Sequence, residues 1–340
     1  VCICIRLLCT GAFQKIYIGV GMQQENKYVR GLSFHQDQHV ARKHVSSLGL
    51  EESVYQNLGR NGFQKYTEIV SDKYTVIKDT AQAALDAAGV DAQDIDAILV
   101  GSAFGVGHNI ENQCKENTEG FFQYTGMRLQ HELGIGSSNI MGLSQMGCIT
   151  MHSGINLASI LLSRDNVNNV LFVAFDAVPE GSSRFVLNSI VSDGCGACIV
   201  SKSPGSGFRM IGFNQYSSGY YWDSVNTRDK LATTYYPVTI RIIKKCLSTH
   251  NVMLSDIKYI MPNNVSRDSW DIVAGSLKVD IDKVYLKTIE DAGHTVSLDS
   301  FLNTKLSIDN NDIEDGDMVL VFGFGFGAHW CAMLMEYCSE

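Results

Sequence analysis

Along the chain, short runs of consecutive apolar residues alternate with segments whose apolar positions recur at helical spacing. Residues 16–21 (IYIGVG), 95–103 (IDAILVGSA), 139–144, 169–176 (NVLFVAFD) and 190–200 (IVSDGCGACIV) read as strands, with 95–103, 169–176 and 190–200 buried. Residues 22–60 read as polar and irregular. Residues 74–88 (YTVIKDTAQAALDAA) carry a helical period that Gly89 stops, and a further helix is expected near 120–133 after a looser stretch at 104–120. The same alternation returns after residue 203. Strands are expected at 207–214, 256–262, 283–289, 317–322 and 329–336, and helices at about 234–249, 266–277 and from about 297.

The two series can be matched. DIDAILVGSA (94–103) pairs with DIKYIMPNN (256–264), NNVLFVAFDA (168–177) with GDMVLVFGFG (316–325), and DGCGACIV (193–200) with GAHWCAML (327–334). Apolar strands interleaved with helices imply buried sheets covered by helices. The expectation is therefore a duplicated α/β unit, with one half over 16–203 and the other over 204–340.

Composition narrows the function classes. Of 340 residues, 45% are hydrophobic and 19% charged, which suits a large core, and a net charge of −9 without a basic stripe argues against nucleic acid. No run approaches the roughly 18 apolar residues that span a membrane. The first residues, VCICIRLLCTGAF, make a poor signal peptide and read as an extra strand or an atypical start. The ten cysteines are scattered, which points to a reducing cytoplasm. Cys195 and Cys198 form a lone Cys-x-x-Cys that fits a strand better than a zinc site, and no metal is expected. His35, His39 and His44 read as one solvated face. Arg241, Lys244 and Lys245 form a basic cluster for which solvated surface is the default.

The chemistry concentrates in 142–163 (GLSQMGCITMHSGINLASILLS). A turn-prone segment ends at Met146-Gly147, and Cys148 opens a helix that is apolar nearly all round and therefore buried. The unpaired N–H groups and dipole at a helix start favour an anion, so a thiolate at Cys148 would be available as a nucleophile. A small buried apolar residue is the alternative reading.

Several stretches resemble the thiolase superfamily, and within it the β-ketoacyl-acyl-carrier-protein synthase III group. These are RNGFQ (60–64), LSQMGCITMHSG (143–154), SDGCGACIV (192–200) and the closing GDMVLVFGFGFGAHW (316–330), in an order that holds from about 16 to 336. The resemblance implies a five-layer αβαβα fold, a homodimer, and Cys148 as nucleophile. It places the backbone N–H groups of Cys148 and Phe326 in an oxyanion hole, with the bulky Phe326 narrowing the acyl pocket and Gly323, Gly325 and Gly327 allowing close backbone approach.

The family's His follows a strand ending in Pro, and its Asn lies in a Gly-Asn-Thr loop. Here Asn263 stands at the first place and His294 at the second, so the two residue types have exchanged positions. His294 can still take the thiol proton. Asn263 can donate its amide to a thioester oxygen or enolate. The resemblance also puts Asn264 near the substrate and Arg267 where it can dock an acidic carrier protein. Tyr55-Gln56-Asn57 replaces the Trp that often stacks on the adenine of coenzyme A.

The implied activity is acyl transfer to Cys148 from an acyl-CoA or an acyl or peptidyl carrier protein. Decarboxylative condensation with a malonyl-type thioester follows, in fatty-acid, polyketide or specialised metabolism. No cofactor beyond these thioester substrates is expected. Transfer of the acyl group to an alcohol or amine is the alternative, and a non-catalytic partner subunit the third.

Overall fold

The computed structural model describes residues 26–104 and 122–340, so the expected strand at 16–21, the apolar start and most of 104–120 lie outside the described residues. The first half contributes β1 (Tyr28–Phe34), β2 (Val40–His44), α1 (Glu52–Arg60), β3 (Lys65–Ile69), α2 (Lys73–Ala88), β4 (Ala97–Gly101), α3 (Thr125–Glu132), β5 (Asn139–Leu143) and α4 (Thr150–Leu161). It continues with β6 (Asn169–Asp176), β7 (Phe185–Val186), β8 (Ser189–Ile190) and β9 (Gly194–Ser201). The second half contributes β10 (Gly207–Ser217), α5 (Arg228–Thr249), β11 (Ile257–Met261), α6 (Arg267–Leu277), α7 (Ile289–Ala292), α8 (Asp299–Asp309), β12 (Met318–Gly325) and β13 (His329–Cys338).

Nine strands form one sheet in the order β11-β12-β13-β10-β1-β9-β6-β4-β5, with β2–β3 and β7–β8 as separate pairs. Outward from the central β1–β10 contact, β9, β6 and β4 on one side correspond to β13, β12 and β11 on the other. In each half the outermost of these three runs parallel to its neighbour, and the remaining pairings are antiparallel. The three matched sequence pairs thus occupy equivalent strands, and β1 and β10 join the halves antiparallel through Tyr28–Arg30 and Gly207–Arg209.

Alternation along each strand builds the layers, because successive side chains leave a strand on opposite faces. Val170, Phe172 and Ala174 of β6, with Val319 and Val321 of β12, join α4 and α8 in a central core. Leu171, Val173 and Phe175 face α2 on one outer side, and Leu320, Phe322 and Phe324 face α5 and α6 on the other. Two helical layers therefore flank the sheet halves and a third lies between them. Cys195 and Cys198 sit on opposite faces of β9, in the outer and central cores, as strand residues three apart must.

Four expectations need correction. The span 22–60 is not irregular: it contains β1, β2 and α1, and β1 escaped notice because a register shift between Arg30 and Ser33 breaks the period of two. No strand runs over 283–289; a single bridge joins Val284 to Ile260, and successive Val284 and Tyr285 are both buried. The strand expected at 190–200 splits, with β9 beginning only at Gly194. The three histidines do not share a solvated face: His39 is 5% exposed, with Nδ1 at 3.1 Å from Ser71 Oγ and Nε2 at 3.2 Å from Asp79. Among the described residues no helix is long and apolar enough to cross a membrane, and no cluster of His, Cys, Asp or Glu is placed to hold a metal ion.

Candidate active site

Cys148 lies in a one-turn 3-10 segment, Gly147–Ile149, that leads directly into α4. It is half-buried, while Ile149 and Thr150 behind it are enclosed, so the turn is anchored and the thiol remains reachable. Against this elbow runs the end of β12. A Cβ on Gly325 would lie 2.8 Å from both the Cys148 nitrogen and the Met146 oxygen, a separation no side chain tolerates. Only glycine lets the two backbones approach this closely.

His294 comes from the loop between α7 and α8. Its backbone is gripped on both sides by the segment preceding β9: the His294 N–H donates to the Ile190 carbonyl at 2.9 Å, and the Ser192 N–H donates to the His294 carbonyl at 2.8 Å. This grip is what takes residues 190–193 out of the sheet. Gly293 at φ 64°, ψ −148° adopts a conformation reserved for glycine, and a Cβ there would meet Ser192 Oγ at 2.8 Å. Val296 and Gln145 also have positive φ, at 56° and 66°, and both line the cavity around Cys148. A β-branched residue in that region is strained backbone of the kind that collects at functional sites.

The His294 Nε2 lies 3.5 Å from Cys148 Sγ. On the other side of the ring, Nδ1 lies 2.5 Å from the Asp299 carboxylate, in the first turn of α8. Asp299 is 1% exposed and also accepts the Thr295 N–H at 2.5 Å, the Thr295 hydroxyl at 2.7 Å and the Asn264 N–H at 2.7 Å. Burial pulls the His294 pKa down; the Asp299 carboxylate and then the Cys148 sulfur outweigh it and hold the ring well above its ordinary 6.5. The sequence reading missed Asp299. Its signal was a carboxylate five residues after the His, at the start of the last apolar-periodic helix.

The other expected residues take varied places. Asn263 is 2% exposed; its side-chain Nδ2 donates to the Phe324 carbonyl at 2.9 Å, and its Oδ1 is buried without a partner. Asn264, expected near the substrate, is fully enclosed instead. Its Nδ2 donates to Thr288 Oγ1 and to the Gly293 carbonyl at 2.9 Å each, and its Oδ1 accepts from Asn303 at 3.1 Å. It braces the His294 loop. Arg267 is exposed at the start of α6 and does not line the cavity, although its neighbours Val265 and Ser266 do. Phe326 is half-buried and lines it.

Cys148 and His294 open into a cavity of about 850 Å³. Both halves supply its walls: Ala103, Phe104, Val186 and Val191 from one, and Trp222, Leu231, Tyr235, Tyr236, Phe324 and Phe326 from the other. A mostly apolar, aromatic lining with few polar groups is the form of a site that encloses a hydrophobic ligand. The charged side chains along it, Arg228 and Asp229, are exposed.

Residues 247–337 match the family model described as the C-terminal part of 3-oxoacyl-[acyl-carrier-protein] synthase III. A β-ketoacyl-[acyl-carrier-protein] synthase III of Sodalis glossinidius is 22% identical over 282 residues, covering 76% of this chain and 83% of that protein. Among solved structures, the 3-oxoacyl-(acyl carrier protein) synthase III of Pseudomonas aeruginosa superposes with a TM-score of 0.75 at 18% identity, covering 92% of this chain and 98% of that one. A structure titled ChlB3, an acyltransferase, superposes with a TM-score of 0.78 at 16% identity, covering 93% and 98%. With the duplicated sheet and the closing Gly-rich segment already in place, the chain has the fold of these synthase III structures and is similar in sequence to β-ketoacyl-[acyl-carrier-protein] synthase III, with residues 247–337 matching that family's C-terminal model.

Proposed function

We propose that the protein is an acyl-transferring enzyme of the condensing type, working through an acyl thioester on Cys148. The observation that carries this reading is Cys148 Sγ at 3.5 Å from a carboxylate-backed His294, both lining an apolar cavity. The Cys148 sulfur attacks the carbonyl carbon of an acyl thioester, and the proton it gives up rests on His294 Nε2. The tetrahedral oxyanion is held by the Cys148 and Phe326 N–H groups. Collapse breaks the bond to the donor's sulfur, and the departing thiolate takes a proton from solvent, so that His294 Nε2 keeps the proton from Cys148. In the second half, a malonyl-type thioester loses CO2, and its enolate carbon attacks the acyl-Cys148 carbonyl and expels the Cys148 thiolate. Asn263 and His294 act as donors to the enolate oxygen. The names of the curated relatives, β-ketoacyl-[acyl-carrier-protein] synthase III, favour this second half. The proposed donor is acyl-CoA or an acyl or peptidyl carrier protein, and the proposed form a cytoplasmic homodimer.

A second reading, transfer to an alcohol or amine without decarboxylation, has its own support. The Asn263 amide is occupied by the Phe324 carbonyl and does not line the cavity, whereas His294 has the carboxylate partner of a general base.

Intact-protein mass after incubation with a panel of acyl-CoAs and acyl carrier proteins tests the first half, with Cys148→Ala as control. An adduct absent from the variant supports it; no adduct with any donor overturns it in favour of a non-catalytic partner subunit. Adding a malonyl thioester, then alcohol or amine acceptors, separates the two second halves.

A further inference from the structure

We infer that Asp299 is a positioning residue for the Cys148–His294 pair, fixing the His294 tautomer and holding the proton that Cys148 releases. This rests on the acyl-transfer reading but concerns groups that can be probed without any acyl substrate.

The argument begins with the carboxylate. Asp299 is buried, and all four of its hydrogen bonds are accepted ones: from His294 Nδ1 and the Asn264 N–H on Oδ2, and from the Thr295 N–H and hydroxyl on Oδ1. A carboxylate accepts at both oxygens and donates at neither, so each of these four donors finds a lone pair there. Among the described residues no Lys or Arg pairs with Asp299; its ionic partner is His294. A buried charge without such a partner is strongly disfavoured, so the pair is most stable when the ring carries a proton on Nδ1. Nδ1–H donating to Asp299 leaves Nε2 as the nitrogen that faces Cys148 Sγ.

The same carboxylate fixes the ring in space. It ties together the start of α8, the loop residue Thr295 and the backbone after β11 at Asn264. Rotation of His294 away from Cys148 would break the ion pair. Among ionisable groups, Asp299 and Cys148 are those that act on the ring; His329 lines the same cavity but is held by its own contacts with Ser217 and the Gln145 backbone.

The test is alkylation of Cys148 by iodoacetamide, followed by peptide mass as a function of pH. In this step the thiolate sulfur forms a bond to the reagent's methylene carbon, iodide leaves, and the former thiol proton stays on His294. In the wild type the ion pair should keep alkylation fast down to mildly acidic pH. In Asp299→Asn, which keeps the size but loses the charge, the rate at pH 7 should fall about 10- to 100-fold and the profile should move to higher pH, the usual cost of losing a residue that orients a working ligand. Thr295→Val, which removes one bond to Asp299 but no charge, should keep the wild-type profile. A folded Asp299→Asn protein with wild-type rate and profile would overturn the assignment. Should that variant not fold, imidazole NMR of the wild type decides. A protonated His294 with a strongly deshielded Nδ1 proton at pH 7 supports the assignment, and a neutral ring overturns it. A protein that alkylates as described but forms no acyl adduct would retain the positioning role and sink only the acyl-transfer reading.

Discussion

Asn264→Ala separates a structural brace from a substrate contact. Its side chain makes three hydrogen bonds, a partly buried one to Thr288 and buried ones to Gly293 and Asn303. Thr288 Oγ1 keeps a bond to Asn303 Oδ1, and Asn303 Nδ2 keeps one to the Pro262 carbonyl. Among the described residues the Gly293 carbonyl has no other hydrogen-bond partner. One orphaned buried carbonyl costs about 1–3 kcal/mol, and two lost but partly compensated bonds about 1 kcal/mol each, so the variant should be destabilised by about 3–5 kcal/mol. Because Gly293 precedes His294, Cys148 alkylation should slow as well. Urea unfolding of wild type and variant, read by fluorescence and circular dichroism, measures the first effect through the shift in midpoint at constant slope. A variant within about 0.5 kcal/mol of wild type, the range of ordinary surface substitutions, that binds acyl-CoA poorly would refute the brace and restore the substrate contact.

Other perturbations follow from the same structure. Gly325→Ala, whose Cβ would fall 2.8 Å from the Cys148 nitrogen, should lower the acylation rate by about 100-fold, the scale of an ångström-sized misplacement, while far-UV circular dichroism stays unchanged. Phe326→Ala, opening the cavity wall beside Cys148, should shift the favoured acyl group in the intact-mass panel toward longer chains. His152, buried in α4 with its pKa depressed to about 3 by desolvation, binds a proton in the unfolded chain before it does in the folded one. Stability should therefore fall as pH drops below the unfolded value, and His152→Asn should lose about 2 kcal/mol less than wild type between pH 7 and 5 in urea unfolding. His294 has the opposite sign: its raised pKa stabilises the fold below the unfolded value and is lost as pH rises through the folded one. The wild type's advantage over His294→Gln should thus be largest near pH 6 and shrink in alkali.

The strands were legible wherever both faces are buried, because β4, β6, β9, β12 and β13 then read as largely apolar runs whatever their neighbours. β1 was not, although it lies at the centre of the sheet. Its irregular register and its mixture of Arg30, Ser33 and apolar residues carry no local period, and pairing with β9 and β10 makes it a strand. The segment 283–289 failed the other way: Val284, Tyr285 and Ile289 are buried, but the backbone meets a neighbouring strand only at Val284 and Tyr285, both against Ile260, and burial alone does not make a strand.

The site divides along similar lines. Cys148 at a helix start and His294 after a glycine were readable locally, since each depends on its own few neighbours. The sequence by itself determined the duplicated α/β layering, the turn that carries Cys148 and the presence of a histidine after Gly293. Only the tertiary structure decided what that ring touches. Asp299 reaches His294 because α8 begins beneath the loop, Asn264 faces inward because the backbone after β11 runs beside Gly293, and the cavity exists because two distant segments supply opposite walls. Hydrogen bonds and cavity walls of this kind join residues far apart in the chain, and their directions are set by packing, which no local pattern of residue types encodes.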